Sequence, residues 1–170
     1  ARFAETYSPN WHVTYEKVGL PRDKWSEADS AWLEIYVSEE CGLVDGARDA
    51  LALLETAGVR TGLVTSGTGS RVRRELARLG LDFRVVVCAE DVARRKPHPD
   101  ALVAGLAKLE VAPADAAYVG DAPEDVEMAR AAGVFSVGVP GAFPNHDALI
   151  AARPDAFAES LTLAVRRLIG

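Results

Sequence analysis

Three short stretches of the chain carry side chains suited to holding and transferring a phosphoryl group. The first is Thr65-Ser66-Gly67, directly after the apolar pair Leu63-Val64. The second is Lys96-Pro97, which opens the run Lys96-Pro97-His98-Pro99-Asp100. The third is Gly120-Asp121-Ala122-Pro123-Glu124-Asp125. A hydroxyl followed by backbone amides at a helix start makes an anion cradle. A lysine beside it supplies a compact positive charge to the oxygens of a phosphoryl group in transfer. Two carboxylates about 4 Å apart repel by roughly 4 kcal/mol at an effective dielectric of 20. A hard divalent cation or a lysine between Asp121 and Asp125 would relieve that repulsion. Mg²⁺ takes few oxygens from protein and keeps waters and substrate oxygens for the rest.

Each stretch also has a plainer reading. Thr65-Ser66-Gly67 could be a turn capping the next helix, and Lys96 a solvated loop lysine ahead of a proline. Glu124 and Asp125 could be first-turn acids facing a helix dipole. For the plain readings to hold throughout, three coincidences must fall in order at successive strand ends.

The elements that position these residues follow from periodicity. From Cys41 onward, short apolar runs alternate with Ala/Leu-rich helical segments. Ala47, Leu51 and Leu54 mark a helix ending at Gly58. Residues 60–65 read as a strand, Val72, Leu76 and Leu79 as a helix stopped by Gly80, and residues 85–88 as a second strand. Leu102, Leu106 and Leu109 mark a helix, 116–119 a strand, 123–132 a helix ending at Gly133, and 135–139 a fourth strand. Two further helices are expected near 147–152 and 160–168. This alternation predicts an α/β fold, with an open, mostly parallel Rossmann-like sheet covered by helices on both faces. Ligands bind beyond the C-terminal strand ends of such sheets, which is where the three stretches fall.

The first 36 positions differ, holding all three tryptophans and three of the four tyrosines. Ser8-Pro9 suits a helix start. Trp11, Tyr15 and Val18 then share a face until Gly19-Leu20-Pro21 stops the helix. A second helix over 23–37 aligns Trp25, Trp32 and Tyr36. An aromatic stripe at helical spacing reads as packing before it reads as a pocket.

Composition narrows the partners. A net charge of −6 over 170 residues disfavours nucleic-acid backbones. It also requires any phosphate site to be assembled locally from cations and amides. Cys41 and Cys88 make no disulfide framework, so a cytoplasmic setting is expected. No apolar run approaches the roughly 18 residues of a membrane span, so no membrane partner is expected. No signal peptide is evident.

The ordered set Thr65-Ser66, Lys96-Pro97 and Gly120-Asp121-x-x-x-Asp125, with Ala129 and the helix end Ala132-Gly133, resembles the second, third and fourth motifs of the haloacid dehalogenase superfamily. Within it, the pattern resembles the phosphoglycolate-phosphatase-like branch. The resemblance is close over 41–150 and looser over 1–40. It implies two domains: residues 1–40 as the C-terminal part of a helical cap, and 41–170 as the α/β core. It implies that Thr65, with Ser66 and Gly67, binds the substrate phosphate, and that Lys96 balances the charge of nucleophile and phosphoryl group. Asp121 would bind Mg²⁺, and Asp125 would support the metal site or hold Lys96. His12 and His98 fall outside the motifs and read as surface or packing residues.

The family's nucleophile is the first Asp of an Asp-x-Asp pair, and no two aspartates here are so spaced. This chain alone is therefore expected to form no aspartyl-phosphate. The first residue is Ala, and the reading preferred is an N-terminally incomplete form of a normal enzyme over a pseudoenzyme that keeps a phosphate-binding surface. The implied reaction is Mg²⁺-dependent hydrolysis of a small-molecule phosphate ester. Phosphomutase and dehalogenase chemistry of the same superfamily, and a non-catalytic phosphate-binding module, are the alternatives. Substrate identity and oligomeric state are left open.

Overall fold

A computed structural model describes residue 6 and residues 11–38, 40–142 and 145–170. The expected helix start at Ser8-Pro9 lies outside the described residues, as does the Tyr36 side chain. The chain divides into two compact units, Ala1–Gly42 and Leu43–Gly170.

The first unit contains helices α1 (Trp11–Lys17) and α2 (Trp25–Ser38), the latter preceded by a 3₁₀ turn over Arg22–Lys24. Its aromatic stripe is used in packing. Trp11 and Trp32 meet edge to face at 5.3 Å, and the His12 ring stacks on Trp25 at 4.7 Å. Trp25 Nε1 donates to the Leu20 carbonyl at 3.0 Å, which ties the second helix to the end of the first. His12 Nε2 also lies 3.4 Å from Asp29 Oδ2. His12 is thus a packing histidine within this unit, as its position outside the motifs suggested.

The second unit runs α3 (Ala47–Thr56), β1 (Gly62–Val64), α4 (Gly69–Leu79), β2 (Val85–Val87), α5 (Asp100–Leu109), β3 (Ala117–Gly120) and α6 (Pro123–Ala132). It continues through β4 (Phe135–Gly138), α7 (His146–Ala151), β5 (Ala156–Phe157) and α8 (Leu161–Ile169). Gly80 and Gly133 end α4 and α6 in the left-handed conformation, which a residue without Cβ adopts at no steric cost. β1 is shorter than the strand expected over 60–65, and Arg60 lies ahead of it. Its guanidinium donates to the Leu109 and Glu110 carbonyls at the end of α5, at 2.8 and 3.3 Å.

Every strand pair is parallel. The main chain forms two ladders, β1-β2 and β3-β4-β5, where the sequence pointed to one continuous sheet. Side chains join them: the Val64 carbonyl on β1 accepts hydrogen bonds from Lys96 Nζ and from the Tyr118 hydroxyl on β3. Helices cover both faces. On one, α5 and α6 bury Leu102, Leu106, Met128 and Ala129 against Val85 and Val87. On the other, α8 places Ala164 with Val137 and Ala158, and α3 packs on α8. The short β5 lies outside the strands expected from the sequence. It is registered by pairing Ala156 and Phe157 with Val137 and Gly138.

Candidate active site

The three stretches converge at the C-terminal ends of β1 and β3. Thr65 follows β1 and continues its ladder, its amide donating a hydrogen bond to the Val87 carbonyl at 2.9 Å. Its Oγ1 accepts from the Gly67 amide at 3.1 Å, and the Gly67 carbonyl accepts from Ala89 N at 3.1 Å. The loop leaving β1 is thereby stitched to the loop leaving β2. Ser66 is half-buried within it. The cradle expected from free amides is narrower than the sequence suggested. The Gly67 amide serves Thr65, and the first amide of α4, Gly69 N, donates to Glu90 Oε1 at 2.6 Å.

Lys96 arrives from the loop between β2 and α5, joined to Pro97 by a cis peptide bond. An Arg94–Asp100 pair spans that loop, with two bonds of 3.0 and 2.9 Å. His98 Nδ1 lies 2.9 Å from the same carboxylate. The ammonium is almost out of water: the Lys96 and Asp125 side chains are 11% and 8% exposed and form an ion pair at 2.8 Å. Lys96 Nζ also donates to Tyr118 Oη at 2.6 Å and to the Val64 carbonyl at 3.1 Å. Burial pulls its pKa down, and the oxygens of Tyr118 and Asp125 more than offset this, so the lysine is held charged above its ordinary value.

Asp125 is the third residue of α6, which has Pro123 at its first position. From there a carboxylate reaches back to the helix start. Its Oδ2 accepts from the amides of Asp121 and Ala122 at 3.1 and 3.2 Å, while Oδ1 takes Lys96. Both oxygens are therefore engaged. The alternative in which Asp125 holds Lys96 is the one the geometry displays, and its link to Asp121 runs through that residue's amide. Gly120 makes room for this: a Cβ there would stand 2.5 Å from Asp125 Cβ.

Asp121 projects beside a cavity of about 320 Å³ whose wall also includes Asp45 and Glu159. Burial first, then the charge of Asp125, raises its carboxyl above the usual carboxylate range. A Cβ on Gly141 would overlap the Asp121 carboxylate, so that glycine leaves the acid its place. Asn145 Nδ2 donates to the Asp121 carbonyl at 2.9 Å. Among the described residues, no group of three or more His, Cys, Asp or Glu is placed to hold a metal. Asp121 is one carboxylate destabilised by its surroundings, and that suits a Mg²⁺ ion completed by water and substrate oxygens.

The residue that sequence reasoning missed is Tyr118. It sits in the apolar run Tyr118-Val119, where its hydroxyl gives no signal of its own. The hydroxyl is buried and its pKa is pushed up to about 12, first by burial and then by the charge of Asp125. It is a neutral donor and acceptor between Lys96 and Val64.

The fold agrees with what comparison finds. The haloacid dehalogenase-like hydrolase family model matches residues 2–139, and the chain belongs to that family. It is 34% identical to a phosphoglycolate phosphatase of Escherichia coli over 115 residues, which are 66% of this chain and 46% of that protein. It is 36% identical to the pyrophosphatase PpaX of Bacillus pumilus over 109 residues, 63% of this chain and 50% of that one. The chain thus spans about half the length of these curated relatives. Among solved structures it resembles CbbY of Rhodobacter sphaeroides in complex with phosphate. That match has a TM-score of 0.63 and 26% identity, over 69% of this chain and 54% of CbbY.

Proposed function

We propose that the protein carrying this chain is a Mg²⁺-dependent phosphoric monoester hydrolase for a small phosphorylated metabolite. It would work through an aspartyl-phosphate on an Asp outside these 170 residues. The observation that carries the reading is the buried Lys96–Asp125 pair, 2.8 Å long, set between the end of the Thr65 strand and the Asp121 amide. A cation kept dry and charged at the C-terminal ends of parallel strands serves an anion that arrives there. The names of the relatives, a phosphoglycolate phosphatase and a pyrophosphatase, point to phosphate-bearing small molecules.

In this reading Thr65, Ser66 and Gly67 bind the substrate phosphate, and Lys96 offsets charge on the phosphoryl group and nucleophile. Asp121 supplies the carboxylate for Mg²⁺. Asp125 supports the metal site by fixing the Asp121 amide and the lysine together. The metal, when bound, would neutralise phosphoryl oxygens as a Lewis acid. The interval between the two ladders, crossed by side chains, would give a strand bearing the nucleophile a place beside Lys96. Residues 1–40 act as part of a substrate-selecting cap. Cys41, exposed, and Cys88, buried, fit a cytoplasmic setting.

The test is hydrolysis of para-nitrophenyl phosphate by the protein encoded by the full reading frame. Turnover is expected with Mg²⁺, and its loss with EDTA. Activity that survives chelation would overturn the assignment in favour of metal-free chemistry.

A further inference from the structure

The loop that leaves β1 is fastened to β2 and the turn beyond it at three successive points. Thr65 N donates to the Val87 carbonyl at 2.9 Å, and Ala89 N to the Gly67 carbonyl at 3.1 Å. The third point is made by a side chain, with Gly69 N donating to Glu90 Oε1 at 2.6 Å. Every partner in this set belongs to β2 or to the turn that follows it, and β2 pairs with β1. The set therefore lies on the side of β1 away from the interval facing β3, and a strand seated in that interval does not displace it.

Glu90 takes a place that the sequence of α4 leaves open. Thr68 stands at the N-cap, yet its side chain makes no capping bond, and the first turn of α4 carries no acid. The first amide of the helix belongs to Gly69, a buried residue, and a buried donor left without an acceptor is costly. A carboxylate there satisfies an orphan helix amide and meets the positive end of the helix dipole. With glycine at 67 and 69, the loop gains little stiffness from its own chain, so its outside ties matter. The carrier of Glu90 is itself held. Asp91 Oδ2 accepts from the Cys88 amide at 2.8 Å, and the Asp91 amide donates back to the Cys88 carbonyl at 3.1 Å. Glu90 thus projects from a closed turn that already grips Gly67 through Ala89.

We propose that Glu90 is a positioning residue that holds the Thr65-Ser66-Gly67 loop in its phosphate-binding shape through the Gly69 amide. The inference rests on the phosphate-binding role given to that loop above, and adds to it a residue that acts without touching substrate. The ties at Thr65 and Gly67 fix where the loop begins, and the Glu90 tie fixes where it enters α4. Without the last tie, part of the ordering is deferred until phosphate arrives, and binding is weakened by that amount. Bound substrate and transition state need the same ordering, so its loss raises KM and leaves kcat nearly as it was. A negative charge standing beside the phosphate would act in the opposite sense: its removal would tighten binding.

The experiment compares the full-length protein with its Glu90→Ala and Glu90→Gln variants, all with Mg²⁺. Binding of inorganic phosphate is measured by titration calorimetry, hydrolysis of para-nitrophenyl phosphate by steady-state kinetics, and folding by thermal melting. Alanine removes both acceptor and charge, whereas glutamine keeps an oxygen for Gly69 and loses only the charge. Loss of a helix-capping acceptor corresponds to roughly a three- to tenfold weakening. We expect the phosphate Kd and KM to rise together by that factor in Glu90→Ala, with kcat within about twofold. Glu90→Gln should recover most of the loss. Unchanged or tighter phosphate binding in Glu90→Ala would overturn the positioning role. So would a deficit lying wholly in kcat, or one that only tracks a smaller folded fraction. Glu90→Gln as weak as Glu90→Ala would overturn it too, since charge and not the bond to Gly69 would then matter. Should the wild-type protein bind phosphate without hydrolysing the ester, the hydrolase reading falls, and the Kd comparison still decides the role of Glu90.

Discussion

Lys96 and Asp125 face each other out of water, and each is tolerable there because of the other. Replacing one member of a buried pair leaves a desolvated charge, which typically costs about 3–5 kcal/mol. Asp125→Ala also strips the acceptor from two amides at the start of α6. Its expected destabilisation of about 3–5 kcal/mol should appear as a large drop in the urea midpoint. Asp121→Asn, which leaves that pair intact, should move the midpoint far less. Equal shifts in the two variants would mean that the buried pair carries no special weight. At this scale the sequence announced types and order but not partners. Asp125 was legible as an acid of a strand-end motif, yet its choice between cation and lysine depends on where Tyr118 and Val64 bring their oxygens. Tyr118 itself was hidden because an aromatic in an apolar strand looks like core, and its ring is indeed packed there. Gly141 was equally silent, since its value lies in what it lets Asp121 occupy.

At the scale of elements, alternation and punctuation were readable from Gly80, Pro123 and Gly133, each of which marks a helix boundary in the structure. The ladder split was not, because hydrogen-bond pairing between strands is decided by neighbours remote in sequence. Nor was β5, whose two residues are placed by polar bonds beyond any periodicity. Asp155, just ahead of β5, accepts at Oδ2 from the Ser136 amide at 2.8 Å and hydroxyl at 2.6 Å, and its own amide donates back to Ser136 Oγ. The hydroxyl first, then the amide, holds the Asp155 carboxyl below the usual carboxylate range. A depressed folded-state pKa gives stability that is complete above the unfolded value, about 3.9, and is lost as pH falls through the folded value. Asp155→Ala leaves the buried Ser136 groups unpaired, a loss of about 1–3 kcal/mol at neutral pH. The lower part of that range is expected, because Asp155 is itself exposed. Urea titrations at several pH values should show the gap between wild type and variant narrowing from about pH 4 downward. A gap independent of pH would mean that the carboxylate charge is not what anchors β5.

For the molecule as a whole, the two units answer to different physics. In Ala1–Gly42, aromatic rings on two helices bury one another, and in Leu43–Gly170 parallel strands are clothed by helices on both faces. The acidic net charge of −6 makes the confined positive charge of Lys96 the more informative, because nothing else in the overall composition would draw a phosphate to this place. The most direct test of the whole account is to locate a divalent cation in crystals of the full-length protein soaked with Mn²⁺, using its anomalous scattering. The account predicts one strong peak at ligand distance, about 2.1 Å, from the Asp121 carboxylate, with Lys96 still paired to Asp125 beside it. An ordered Mn²⁺ bound elsewhere, with Asp121 turned away from it, would contradict the site described.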